Sequence, residues 1–172
     1  MLKVIGVFMI MIGSSGYGMR LYLDLKDGIW HINCFIRLLE VVISEINYRN
    51  LSLPECLRMQ AEHAGEPYKS IYKEVYRCYE EDGRCDIATC FRSKLAEGLV
   101  RVPLTASEKE IVEGLFEEMP IYDPEMQIKL LAGKKQQLEK ILLKRENELA
   151  EKKKLYTTLG VMVGLLLILI LI

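Results

Sequence analysis

INCFIRLLEVVISEI, residues 32–46, puts Ile32, Phe35, Ile36, Leu39, Val42, Ile43 and Ile46 at the i, i+3, i+4, i+7 spacing of one helical face. Asn33, Arg37, Glu40 and Ser44, with Asn47 just beyond, fill the opposite face. A stripe that wide has to be buried against other elements. It predicts a first helix from near Asp24 to near Tyr48 that forms one wall of a helical core.

Reading onward, Ser52-Leu53-Pro54-Glu55 has the spacing of a capping box and starts a second helix. Gly65-Glu66-Pro67 ends it and opens a third, striped by Tyr68, Ile71, Tyr72, Val75 and Tyr79. Asp82-Gly83 is a turn. Ile87, Phe91, Leu95, Gly98, Leu99 and Val102 line a fourth helix that Pro103 closes. Thr105 to Glu108 is a second capping box, with Ile111, Val112, Leu115, Phe116 and Met119 behind it, up to Pro120. Asp123-Pro124 restarts the chain as N-cap and first helical residue. The last helix runs through Lys154, with Leu131, Leu138, Leu142 and Leu149 as its seam. Glu139, Lys140, Lys144, Arg145, Glu146, Glu148 and Lys152 are expected on its open surface. No segment shows sustained period-two alternation. The fold class is therefore all-α, a six-helix antiparallel bundle joined by short loops.

Two apolar segments flank this domain. Leu155–Ile172, LYTTLGVMVGLLLILILI, carries no charged side chain, and as a helix it would be about 27 Å long, close to the hydrocarbon thickness of a bilayer. Lys152, Lys153 and Lys154 precede it and form the membrane-flanking positive cluster that stays on the cytoplasmic side. Val4–Met19 is apolar but short. It reads either as a cleaved signal peptide with small residues near Ser14–Gly16, or as a retained membrane helix with Arg20 and Lys26 on the domain side. Retention agrees with the lysine cluster. The expected organisation is a membrane segment at 1–22, a cytoplasmic helical domain at 23–154 and a C-terminal transmembrane helix at 155–172. With neither Pro nor Gly between Lys134 and Leu159, the last helix and its span read as one rod.

A net charge of −1 gives no general attraction to nucleic acid. Five cysteines, Cys34, Cys56, Cys78, Cys85 and Cys90, form no disulfide framework and suit a reducing compartment. No P-loop, dinucleotide fingerprint or nucleophile elbow occurs. The histidines are His31 and His63; with Cys34 and Cys56 they could serve a thiol- or metal-dependent membrane enzyme, but no CxxC pair anchors a zinc site. Cysteines acting as small apolar fillers are the expectation, with no cofactor, metal, catalytic residue, nucleic acid or small-molecule substrate. Tyr68, Tyr72, Tyr76 and Tyr79 are expected in the core and at its rim. Glu108, Glu110, Glu113, Glu117, Glu118, Asp123 and Glu125 are expected on a solvated face or a partner-docking one.

End to end, the chain resembles the stage III sporulation protein AB family. The resemblance rests on Met1-Leu2-Lys3 before an apolar segment, on Glu45-Ile46-Asn47-Tyr48 followed by Leu53-Pro54-Glu55, and on Asp123 and Gln127 opening the long helix. It rests also on Leu159-Gly160 running into Gly164-Leu165-Leu166-Leu167-Ile168-Leu169. Met119-Pro120 departs from the Leu-Gly expected there. The resemblance implies a membrane protein of a secretion-like channel between mother cell and forespore, required for endospore formation. It also implies a soluble part like the cytoplasmic domain of type II secretion and type IV pilus platform proteins, in the mother-cell cytoplasm, in the membrane engulfing the forespore. Its partners would be an ATPase and other stage III channel proteins, met by a docking surface of Glu45, Tyr48, Glu117, Glu118, Asp123 and Gln127. The alternative is a membrane-anchored binding protein outside the cytoplasm.

Overall fold

A computed structural model describes the backbone of residues 2–81, 86–120 and 123–171, and the side chains of Arg20 and of residues 22–152 within those bounds. Six helices make up the fold: α1 (Leu2–Arg49), α2 (Leu53–His63), α3 (Tyr68–Glu81), α4 (Ile87–Gly98), α5 (Ala106–Glu113) and α6 (Pro124–Leu171). Among the described residues there is no strand. The all-helical expectation holds, but the count is reached differently. The C-terminal segment continues α6, as the rod reading expects, whereas the N-terminal segment is not a separate helix but continues α1; each of these helices has 48 residues and is thus about 72 Å long. Among the described residues no helix is long and apolar enough to cross a membrane. The side chains of both apolar segments and of Lys153 and Lys154 lie outside the described residues, as does the Asp82-Gly83 turn, so the expected membrane spans fall outside that statement.

The two long helices form the spine. They run antiparallel: Lys135 Nζ on α6 meets Glu40 Oε1 on α1 at 2.8 Å, and Arg145, ten residues further along, packs over Gly28. Ile32, Phe35, Leu39, Val42 and Ile46 are fully buried in the same core as Leu131 and Leu138. Each such side chain contributes about 1.5–3 kcal/mol on leaving water. The shorter helices follow in sequence, α2 packing on α1, α3 on α2, α4 on α3 and α5 on α4.

The helix starts follow their local chemistry. The Thr105 box is complete: Glu108 N–H donates to Thr105 Oγ1 at 3.3 Å, and Thr105 N–H donates to Glu108 Oε2 at 2.7 Å. At α2, Glu55 Oε2 accepts from the Ser52 N–H at 2.9 Å and from the Ser52 hydroxyl at 2.7 Å. Asp86 caps α4 through Thr89 N–H at 2.6 Å, and Asp123 caps α6 through Met126 N–H at 3.0 Å.

Two helix ends fall short of expectation. α4 stops at Gly98 rather than near Val102, and α5 at Glu113 rather than near Met119. Beyond them the chain continues in turns, closed by Val102 N–H to Leu99 O at 3.1 Å and Leu115 N–H to Val112 O at 3.3 Å. Leu99, Leu115 and Phe116 remain buried there. Apolar spacing of three to four residues persists through a helical turn, so the pattern alone overshoots the helix.

Candidate docking surface

The antiparallel register carries the C-terminal end of α1 to the side of the start of α6. Tyr48, 82% exposed, stands at that end of α1. One turn before it, Glu45 is largely covered, with its Oε2 3.4 Å from Arg49 Nη1 and little touched by solvent. Asp123 is committed to the N-cap, and Gln127 Nε2 donates to Pro120 O at 2.5 Å, so both brace the entry to α6. Glu117 pairs with Arg92 of α4. Glu118 is exposed and takes a left-handed φ of 61°, a conformation uncommon for a side chain of this kind. Of the six candidate docking residues, Tyr48, Glu118 and Asp123 are exposed and Glu117 is partly so, Asp123 while also capping α6. Glu45 and Gln127 are partly covered and shape the chain around them.

Towards the other end of the spine lies a feature that local pattern did not reveal. Arg145 and Glu108, both assigned above to open surfaces, are 6% and 9% exposed. They form a two-point ion pair, Nε to Oε1 at 2.7 Å and Nη2 to Oε2 at 2.5 Å, and Nη2 also reaches Pro103 O at 3.2 Å. Burial pushes the Glu108 carboxyl up. The Arg145 guanidinium and the Thr105 N–H and hydroxyl outweigh that and hold it below the usual carboxylate range. One carboxylate thus caps α5 and anchors it to α6. Gly28 leaves the room: a Cβ there would lie 2.0 Å from Arg145 Nη1 and 3.0 Å from Pro103 O. The signal for Arg145 was its place one heptad beyond Leu138 and two beyond Leu131, on the seam itself.

His31, Cys34, Cys56 and His63 are not drawn into one site. His31 Nδ1 and the Tyr68 hydroxyl are hydrogen-bonded at 2.7 Å, within an aromatic group that includes Trp30, Phe35 and Tyr72. His63, exposed on α2, bonds its own helix at Met59 O, 2.8 Å away. Among the described residues no three His, Cys, Asp or Glu side chains are placed to hold a metal ion. Burial, opposed by Arg37, pushes the Cys34 thiol up, and burial aided by Glu45 and Glu55 pushes Cys56 up to about 11. A thiol held protonated is a poor nucleophile and a poor ligand.

His31 makes stability depend on pH. Burial lowers its pKa from the ordinary 6.5, against the opposing pull of Asp27. The unfolded chain therefore takes up the proton first, and stability falls as pH drops through 6.5 towards the lower folded value. The urea midpoint should decline between about pH 7.5 and 5.5, and His31→Gln should flatten that slope. An equal slope in the variant would assign the effect elsewhere; Glu108 contributes only at lower pH, where its carboxylate is lost.

The family described as stage III sporulation protein AB matches residues 3–172 of the chain. No curated protein and no solved structure matches it significantly.

Proposed function

Because the chain belongs to the stage III sporulation protein AB family, we propose that it serves spore formation as a non-enzymatic coupling rod, anchored in the mother-cell membrane around the forespore. The observation that carries this reading is the unbroken α6, which joins Asp123 beside the acidic loop to the apolar C-terminal run in one helix. α1 accompanies it. Asp24 and Lys152 line the same open pocket as Arg145, which agrees with the antiparallel register as far as Lys152. Continued beyond, it sets Val4–Met19 alongside Leu155–Ile172 as a helical hairpin anchor. Tyr48, Glu117 and Glu118 then lie at the far end of the spine, free to meet a partner ATPase and other channel proteins in the cytoplasm. Displacement of that end would be carried to the membrane by two helices gripping each other along one core.

Inserting two glycines between Glu151 and Lys152 tests the coupling. Each costs the helix about 1 kcal/mol, and together they turn everything beyond by about 200°. Arg145 and the core lie before the insertion. Spore formation should be lost while the chain still sediments with membranes. Unimpaired sporulation would overturn the coupling role, and loss of membrane association in the wild-type chain would overturn the anchor.

A further inference from the structure

Cys78 lies in the last turn of α3 and Cys90 in the first turn of α4. Their positions share no motif, being 12 residues apart, yet the Cys78 thiol donates to Cys90 Sγ at 2.9 Å. Cys90 is fully buried and Cys78 half-buried, so Cys78 is the sulfur of the two that a reagent from solvent reaches. We infer that Cys78 and Cys90 are an oxidisable dithiol, which a low-molecular-weight disulfide converts into an intramolecular disulfide joining α3 to α4.

The chemistry balances in two exchanges. Cys78 as thiolate attacks one sulfur of the reagent RSSR, forms the mixed disulfide Cys78–S–S–R and expels RS⁻, which takes up the proton Cys78 released. Cys90 gives up its own proton and attacks Cys78 Sγ, and the second RS⁻ leaves with that proton. Two protein thiols are oxidised and one RSSR is reduced to two RSH. Buried Cys90 never has to meet the reagent. It resolves the adduct from a position only about 0.9 Å beyond the bonded sulfur separation of about 2.05 Å. The product ties the end of one helix to the start of the next, in the middle of the α2 to α5 layer.

The full-length chain in detergent, with Cys85→Ser to remove the thiol between the two, is treated with oxidised glutathione. It is then alkylated, digested and weighed, beside the wild-type chain treated in the same way. A reducing-buffer urea transition first verifies that the variant is folded. The expected product is a peptide pair joined through Cys78 and Cys90, lighter by two hydrogens than its reduced halves. Two of the four thiols left by the substitution should be lost to alkylation, Cys34 and Cys56 should stay alkylated, and the urea midpoint should rise. Cys90→Ser should instead trap glutathione on Cys78. Full alkylation of Cys78 and Cys90 after treatment, or a stable glutathione adduct on Cys78 in the chain that keeps Cys90, would overturn the inference. So would a wild-type cross-link that forms through Cys85 instead of between Cys78 and Cys90.

Discussion

Replacing Arg145 with alanine should cost about 3–5 kcal/mol of folding stability, because it strands the buried Glu108 carboxylate without its counter-charge. Against a domain stability of roughly 5–15 kcal/mol, that is a fifth or more of the total. The urea midpoint should fall steeply with little change in slope. Lysine should rescue only part of the loss. An ammonium cannot present two parallel N–H groups to the carboxylate while also reaching Pro103 O. The informative control removes both charges. In Arg145→Met with Glu108→Leu no buried ion is left unpaired, so the double variant should be far more stable than Arg145→Ala, although α5 then loses the return half of its cap, worth about 1 kcal/mol. A loss under about 1 kcal/mol for Arg145→Ala would mean that the pair behaves as a solvated surface bridge.

This pair also marks the boundary of what the residues disclose on their own. Local chemistry was legible. The stripe from Ile32 to Ile46, the Thr105 box and the Asp123–Pro124 start each depend on neighbours a few residues away, and each stands where expected. The N-terminal apolar run could be read as a separate segment, but Gly13, Ser14, Ser15 and Gly16 do not interrupt the backbone of α1. A helix already nucleated from both sides absorbs such residues at about 1 kcal/mol per glycine. Arg145 was assigned outward because an arginine's prior is solvent. Its partner lies 37 residues away on a helix whose docking angle no local rule fixes. The same holds for Cys78 with Cys90 and for His31 with Tyr68: side chains brought together by helix packing leave no periodic trace. Among the candidate docking residues, Tyr48 is exposed at the end of α1, and Asp123 and Gln127, named with the start of the long helix, also brace the entry to α6.

Truncating Phe91 to alanine should be the other large loss, about 3–5 kcal/mol, by a different route. Phe91 on α4 and Phe116 in the turn after α5 are both buried, and their rings meet edge to face at 4.6 Å between centroids, 73° apart. α5 has only 8 residues, too few to hold itself as a helix. Its position depends on Val112, Leu115 and Phe116 in the core at one end and on Glu108 with Arg145 at the other. Removing the Phe91 ring leaves a cavity beneath Phe116 that the fixed ends of α4 and α5 cannot close. Phe91→Leu, which keeps most of the volume, should recover more than half of the loss. In a double-mutant cycle with Phe116→Ala, the two losses should fall short of additivity by about 0.5–1.5 kcal/mol, the part that belongs to the ring pair. Strict additivity would mean that each ring packs into its own surroundings and that the edge-to-face contact contributes nothing. Arg145→Ala and Phe91→Ala, by contrast, share no partner, so their losses should come close to adding, apart from whatever is transmitted through α5 itself. A large shortfall there would show α5 docking as one cooperative unit, released whole when either end is cut.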